Sequence, residues 1–205
     1  MLEKLPEPLG HALRDARAGL DKLVFNRCGM RVGHGSLQVA SLAFADHAPI
    51  PARYTADGEG LSPPLHWSGI PPQAASVLLI VEDADAPTPE PLVHAIVVDL
   101  PAADGSLQEG ELHSPHHDGA GVHEGRNSYL RSGWLPPDPP TGHGPHRYAF
   151  QLFALGPGGE PFPSKPGRSD VLRAIGERGL ASGILVGTYE REGSEKIRAG
   201  AAVVA

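Results

Sequence analysis

The chain has 205 residues, of which 40% are hydrophobic, and its formal net charge is -7. This length suits one domain with a sizeable core, and the 26 glycines and 22 prolines predict many loops. Lysine and arginine are scattered singly along an acidic chain, which argues against a nucleic-acid partner.

Cys28 is the only cysteine of the chain. It excludes an intrachain disulfide framework, disfavours a cysteine-based zinc site and fits a reducing compartment. The N-terminal residues lack a continuous apolar signal segment, and no run approaches the ~20 apolar residues that span a bilayer. We therefore expect a cytoplasmic protein without a transmembrane segment.

Residues 7 to 25 have the period of an amphipathic helix, which begins at Pro8. Its apolar positions are Leu9, Leu13, Ala16, Leu20, Leu23 and Val24. We expect residues 1–35 to form this helix and a glycine-rich connector, and residues 36–205 to form the main domain. The apolar stripe either covers that domain or contacts a second copy of the chain, so a homodimer is one alternative.

The chain from Leu37 onward predicts a mainly β fold. Short apolar runs bounded by proline and glycine favour a β-sandwich or barrel over βαβ units. The predicted strands are 37–44, 65–68, 76–82, 93–99, 147–155 and 184–190. One late helix is predicted from Ser169 to Leu180, with Ser169 as its cap. The long polar stretch 102–146 is expected to wrap over a site and form one of its walls.

Two carboxylates and an imidazole flank a proline-rich turn. Asp83 and Asp85 precede the turn and His94 follows it. Because proline removes N–H donors and fixes φ, these side chains can be held in place without a regular ladder. Ala86–Pro87 and Glu90–Pro91 are candidates for a cis peptide bond, which costs only ~0.5–1 kcal/mol before proline. The alternative interpretation is a rigid surface turn with solvated aspartates.

A second polar pair lies at the start of the predicted strand 147–155. His146 and Tyr148 are two residues apart and therefore lie on one face of a strand. Together they offer two hydrogen-bond donors to an anion, and the preceding Gly142 and Gly144 let backbone N–H groups approach it. The alternative is a structural histidine at a strand start.

Two alternatives to an anion-binding site are an acid–base active site and a metal site. An acid–base hydrolase would use Asp83 with His94 or His146, but the chain has no Gly-x-Ser-x-Gly nucleophile motif. A metal site is suggested by 11 histidines, although a loop rich in glycine and proline holds ligands poorly. We therefore expect a solvated loop, no metal and no cofactor. The histidines concerned are His113, His116, His117 and His123.

Several ordered motifs resemble those of the phosphatidylethanolamine-binding proteins, in the bacterial branch often called Raf-kinase-inhibitor-like. Besides the two polar segments, they are the ranges 50–69, 127–140 and 185–189, and the resemblance runs from about Leu37 to Glu190. It implies an antiparallel β-sandwich and a non-enzymatic protein with a small pocket for phosphate, acetate or a phosphorylated head group. Similar proteins inhibit kinases or other enzymes, which implies a protein partner whose identity stays open.

The resemblance also implies which residues form the pocket and its wall. The lining residues would be Asp83, His94, His146 and Tyr148, with Asp85 and Pro87 shaping the wall. Similar proteins carry cis peptide bonds in this region. Where family members usually have two glycines, this chain has Leu135 and Pro136. Since Pro136 has no N–H, one contact to a bound oxyanion is expected to be lost or supplied by another residue.

Overall fold

The computed structural model describes residues 6–29, 35–112 and 122–191. The strands of these residues are β1 (Gly35–Ser36), β2 (Gln38–Ala40), β3 (Leu65–Ser68), β4 (Ser76–Asp83), β5 (Leu92–Leu100), β6 (Gly105–Leu107), β7 (His123–Glu124), β8 (His146–Leu155) and β9 (Gly179–Tyr189). The helices are α1 (Glu7–Ala12), α2 (Val24–Arg27) and α3 (Arg168–Arg178), with 3-10 turns at Leu20–Lys22 and Ala52–Tyr54.

The strands form two sheets. The larger sheet has the order β1-β9-β8-β4-β5-β7, and the smaller one has the order β2-β3-β6. Pairing is antiparallel except between β1 and β9, which run parallel. The predicted mainly β, antiparallel sandwich is thus confirmed, and most of the predicted strands match observed ones closely.

The larger sheet is buried on both faces, which explains why β4 is an almost continuous apolar run. Side chains alternate between the two faces of a strand. On one face Leu79 packs between the sheets with Trp67 and Phe150. On the other face Leu78 packs with residues of the helices, including Ile175 of α3. The central strands β4 and β8 are therefore held rigidly at their ends.

The predicted amphipathic helix over residues 7 to 25 is wrong. Helix α1 ends at Ala12, and Gly19 has a φ of 102° that no regular helix allows. The chain instead follows the turn after β4: Ala18 N donates to Ala86 O at 3.0 Å, and Gly19 N donates to Ala84 O at 2.8 Å. These long-range hydrogen bonds and the burial of Leu23 outweigh local helical spacing.

The apolar residues of this segment do not form one continuous stripe. Leu23 and Val24 are buried against their own domain, whereas Leu9 and Leu20 are exposed. The homodimer alternative therefore loses the regular helix on which it was based, and it stays a prediction. The division into residues 1–35 and 36–205 stays a prediction, although residues 6–29 pack directly on the sandwich.

The predicted cap of the late helix is also corrected. Helix α3 begins at Arg168, so Ser169 lies inside its first turn. The side chain of Asp170 supplies the cap, because its Oδ2 accepts a hydrogen bond from Gly167 N at 2.9 Å. A carboxylate in the first turn also interacts favourably with the helix dipole.

The proline-rich turn contains no cis peptide bond, and neither do the other described residues. Ala86–Pro87 and Glu90–Pro91 are both trans, contrary to the prediction. The turn closes in this form because Thr88 N donates to Ala86 O at 2.8 Å, and trans is the lower-energy form.

Candidate functional site

The ends of three adjacent strands bring the predicted site residues together. Asp83, the last residue of β4, pairs with Leu92 of β5 and with Tyr148 of β8. Asp83, His94, His146 and Tyr148 are each at most 2% exposed. The rings of His94 and Tyr148 meet edge to face with centroids 5.1 Å apart. Side chains from two motifs distant in sequence therefore form one buried polar cluster.

A small cavity borders this cluster. Its volume is about 10 Å³, which is room for about one water molecule. The predicted stretch 102–146 does supply part of its wall. The lining residues are Asp83, Leu92, His94, Tyr129, Leu135, Pro136 and Asp138. Of the predicted pocket residues, Asp83 and His94 line the cavity, and His146 and Tyr148 contact these two residues without lining it.

The hydrogen bonds of His94 fix its tautomer. Its Nδ1 lies 2.5 Å from Leu135 O, and because a carbonyl only accepts, Nδ1 carries the proton. Burial lowers the pKa of His94 and outweighs the opposing effect of the nearby Asp83 carboxylate. The neutral ring therefore presents a lone pair at Nε2, a buried atom with no hydrogen-bond partner among the described residues.

The hydroxyl of Tyr148 is a second buried polar atom without a hydrogen-bond partner in the described part of the chain. Burial and then the charge of Asp83 raise the pKa of Tyr148 well above its ordinary value, so the hydroxyl stays protonated. Leaving such a group unsatisfied costs about 1–3 kcal/mol. Unsatisfied buried polar groups are rare in native structures, and here two of them lie in one cluster.

The backbone of Leu135 makes two hydrogen bonds to His94, one to its backbone and one to its ring. Leu135 N donates to His94 O at 2.8 Å, while Leu135 O accepts from His94 Nδ1. The next residue, Pro136, lines the cavity and has no N–H. Leu135, whose N–H is bound to His94, and Pro136 therefore offer no backbone donor to the cavity.

Asp83 and His146 belong to a chain of buried hydrogen bonds. Asp83 Oδ1 accepts from Asp85 N at 2.8 Å, and Asp83 Oδ2 lies 2.7 Å from His146 Nδ1. His146 Nε2 in turn lies 2.8 Å from His143 Nδ1. Both ring nitrogens of His146 are thus engaged within the protein, so its predicted role as a direct donor to an anion needs revision. His143 had no assigned role in the sequence analysis.

Asp85 is an anchor of the turn. Its carboxylate binds Arg147 through Nε and Nη2, both at 2.7 Å, and Arg17 Nη1 at 2.9 Å. Burial alone raises the pKa of Asp85, but the hydrogen bonds from Arg147 and Arg17 outweigh it and lower the pKa to about 2. Asp85 and the half-buried Pro87 do not line the cavity, and their role in shaping its wall stays a prediction.

Asp138 is a cavity residue that the sequence analysis did not single out. Arg191 Nη1 lies 2.7 Å from its carboxylate, and the same guanidinium also binds Asp57 at 2.8 Å. Arg191 thus compensates the charge of the second carboxylate of the cavity wall. The only sequence signal was the position of Asp138 in the range 127–140, one of the motifs of the family resemblance.

The histidine-rich loop is described only in part. His123 lies 2.8 Å from Asp99 Oδ2 and 3.0 Å from Pro163 O, so both of its ring nitrogens have partners. His113, His116 and His117 lie outside the described residues. Within the described ranges, no group of three histidine, cysteine or acidic side chains has the geometry of a metal site.

Comparisons with known proteins match this sequence and fold. A family model described as phosphatidylethanolamine-binding protein matches residues 40–190. A UPF0098 protein of Aquifex aeolicus is 34% identical over 173 residues, which cover 84% of this chain and 99% of that protein. A Mycobacterium tuberculosis protein with a lipoprotein name, LppC, is 39% identical over 156 residues, covering 75% and 72% of the two chains.

A solved structure gives the same result. The crystal structure of a phosphatidylethanolamine-binding protein homologue from Chlamydia trachomatis, CT736, has a TM-score of 0.67 and 33% sequence identity. The match covers 77% of this chain and 99% of that one. The family model, the sequence relatives and the shared fold together show that this chain belongs to the phosphatidylethanolamine-binding protein family.

Proposed function

We propose that this chain is a non-enzymatic binding protein whose pocket, at the ends of β4, β5 and β8, takes a small oxyacid group. Such a group is a phosphate, a carboxylate or the head of a phosphorylated compound. The observation that carries the proposal is the pair of unsatisfied buried atoms, His94 Nε2 and the Tyr148 hydroxyl. They lie in the polar cluster beside the cavity, and an oxyacid supplies partners for both kinds of group.

The size of the cavity sets a condition on binding. At about 10 Å³ it does not hold a phosphate group, so the wall has to move when a ligand enters. Asp83 is fixed by its pairing with Leu92 and Tyr148, and His94 lies in β5 with two hydrogen bonds to the backbone of Leu135. Tyr129 and Pro136 belong to the connection between strands, and connections are the more mobile parts of a fold. We therefore expect this wall to open while the strands stay in place.

The protonation of His94 determines how binding depends on pH. The free ring is neutral because burial lowers its pKa, whereas a bound anion favours the imidazolium. Binding of an anion therefore takes up a proton, and affinity rises as the pH falls towards 5. This sign is the same for phosphate and for carboxylate ligands.

An acid–base hydrolase is the weaker function for this geometry. His146 has both ring nitrogens bound, so His94 Nε2 is the one free imidazole nitrogen among the two predicted bases. The cavity wall, as formed by the described residues, contains no serine, threonine or cysteine as a nucleophile.

The cytoplasmic location and a regulated protein partner, such as a kinase, stay predictions. The described residues form no helix with the length and apolarity needed to cross a membrane. The lipoprotein name of one relative belongs to that protein. The function proposed for this chain depends only on the pocket.

Isothermal titration calorimetry between pH 5 and 8 tests the proposal with phosphate, phosphoethanolamine and acetate as ligands. We expect binding that strengthens towards pH 5. The variant His94→Asn keeps an amide donor for Leu135 O but lacks Nε2, and we expect it to lose at least about tenfold in affinity. The exposed His66 gives the matched control His66→Asn, which should bind like the wild type.

Absence of binding by the wild type over this whole pH range would overturn the proposal. Equal affinity of the wild type and the His94→Asn variant would place the ligand elsewhere and would contradict it as well.

A further inference from the structure

The N-terminal segment, residues 6–29, reaches the buried side of the pocket. Its carbonyl Ala16 O accepts a hydrogen bond from His143 Nε2 at 3.2 Å. Arg17 Nη1 donates to Pro145 O at 3.0 Å and Arg17 Nη2 donates to His143 O at 3.3 Å. This segment lies outside residues 40–190, which match the family model. A part of the chain beyond the family match therefore touches the residues behind the pocket.

The contact extends a line of three hydrogen bonds that ends at the pocket carboxylate. The first link joins Asp83 Oδ2 to His146 Nδ1 at 2.7 Å, and the second joins His146 Nε2 to His143 Nδ1 at 2.8 Å. The third joins His143 Nε2 to Ala16 O. Every one of these links needs one proton between its two heavy atoms.

The number of protons that these three hydrogen bonds need determines the net charge of the residues they join. Ala16 O only accepts, so His143 Nε2 carries a proton and its Nδ1 accepts from His146 Nε2. A carboxylate and two neutral imidazoles bring two protons, whereas the three links need three. One more proton therefore lies between Asp83 and His146. With it, the group of Asp83, His146 and His143 has a net charge of zero.

The surroundings agree with this distribution of protons. The pKa of His143 is lowered by burial, then by the charges of His146 and Arg17, which keeps His143 neutral. Two groups near His146 come from neighbouring strands, Asp83 from β4 and His94 from β5. A third, the neutral Tyr148, lies on β8 together with His146. Asp83 is the one anion in direct contact with the His146 ring among the contacts described for it.

We propose that His143, fixed by the Ala16 carbonyl, is a positioning residue that keeps His146 protonated against Asp83 and so neutralises the carboxylate of the pocket. This inference rests on the proposed function, because it explains how a pocket lined by Asp83 accepts an anion. Without an acceptor at His143, His146 has no partner for its second proton. Asp83 then faces the ligand as an uncompensated negative charge.

Two variants of His143 separate this role from a merely structural one. His143→Asn places an amide oxygen near the position of Nδ1 and keeps an acceptor for His146. His143→Leu has a similar volume and offers no acceptor. The loss of a hydrogen bond to a charged group weakens an interaction about 10- to 150-fold. We therefore expect the affinity for inorganic phosphate at pH 6.5 to fall at least about tenfold in His143→Leu and much less in His143→Asn.

Nuclear magnetic resonance of the histidine ring nitrogens measures the proton directly, without any ligand. In the wild type we expect both ring nitrogens of His146 to give the signals of protonated nitrogens, because the proton count requires His146 to donate to both Asp83 and His143. In His143→Leu one of these two protons should be missing, and His143→Asn should resemble the wild type.

The two measurements test the proposed function and the positioning role of His143 independently. If phosphate does not bind the wild type, the proposed function is wrong, while the ring protons of His146 still decide the role of His143. If His146 lacks one of its two ring protons in the wild type, or if the wild type and His143→Leu give the same His146 signals, the positioning role is wrong even if phosphate binds.

Discussion

Two neighbouring carboxylates at the end of β4 face opposite sides of the larger sheet. Glu82 lies on the side of the helices and is completely buried. Its carboxylate accepts hydrogen bonds from Val24 N at 2.8 Å, from Gln151 Nε2 at 2.8 Å and from Arg168 Nε at 2.6 Å. Asp83 lies on the other side, beside a cavity and two unsatisfied polar atoms.

The difference teaches that burial of a charge does not by itself mark a functional site. Glu82 has a cationic partner and several donors, as a buried charge in a structural role requires. Around Asp83 the protein leaves His94 Nε2 and the Tyr148 hydroxyl unsatisfied, at a cost in stability. The cluster that is incomplete is the one that a ligand can complete.

The largest expected effect is the loss of the Glu82 carboxylate. Glu82→Ala leaves Arg168 without its shortest ion pair and removes the acceptor of Val24 N. We expect the free energy of unfolding to fall by about 3–5 kcal/mol, measured by urea denaturation. The exposed pair of Glu160 and Arg173 gives the control: Glu160→Ala should change stability by less than about 1 kcal/mol. A small effect of Glu82→Ala would remove the contrast between the two faces.

An intermediate effect is expected for Asp85, the anchor of the turn. Its pKa of about 2 in the folded state lies below the ordinary aspartate value of 3.8, so its ionised form stabilises the fold by about 2 kcal/mol above pH 4. This stability is lost as the pH falls from about 4 to about 2. We therefore expect the free energy of unfolding, measured by urea denaturation at several pH values over this range, to change less with pH in Asp85→Asn than in the wild type. The exposed Asp21→Asn should keep the slope of the wild type, and identical slopes for all three proteins would contradict the assignment.

The smallest effect on stability is expected for Tyr148→Phe. Whether the variant gains or loses stability shows whether the hydroxyl has a hydrogen-bond partner in the protein. Tyr148→Phe removes an unsatisfied buried hydroxyl, so thermal unfolding should show unchanged stability or a gain of about 1 kcal/mol. Calorimetry should show weaker phosphate binding by the same variant. Tyr54, whose hydroxyl donates to Glu109 at 2.6 Å, gives the comparison: Tyr54→Phe should lose about 1 kcal/mol and bind normally. A loss of stability in Tyr148→Phe would show that its hydroxyl has a protein partner after all.

The sequence predicted the sandwich well because its signals are local. The apolar run of β4 and the alternation in β8 follow directly from burial on one or both faces of a sheet. The N-terminal helix failed because Gly19 and hydrogen bonds to residues more than sixty positions away decide the path of residues 13–19. Helical spacing contains no information about such partners.

The sequence identified the residues of the site better than the hydrogen bonds between them. The family resemblance implied that Asp83, His94, His146 and Tyr148 lie together, and the four side chains do form one cluster, of which Asp83 and His94 line the cavity. The hydrogen bond between His146 and His143 depends on a loop without periodicity, so no pattern identified it. The proton on Nδ1 of His94 also depends on a contact 41 residues away.

The three hydrogen bonds of Glu82 also govern when the chain can complete its fold during synthesis. They join residues 58, 69 and 86 positions away from Glu82 along the chain, with Val24 before it and Gln151 and Arg168 after it. The segment of residues 6–29 leaves the ribosome before β4, β8 and α3, yet the surface that it covers is complete only after α3 has been made. Because contacts of such sequence separation form slowly, the docking of residues 6–29 is expected to be a late step of folding.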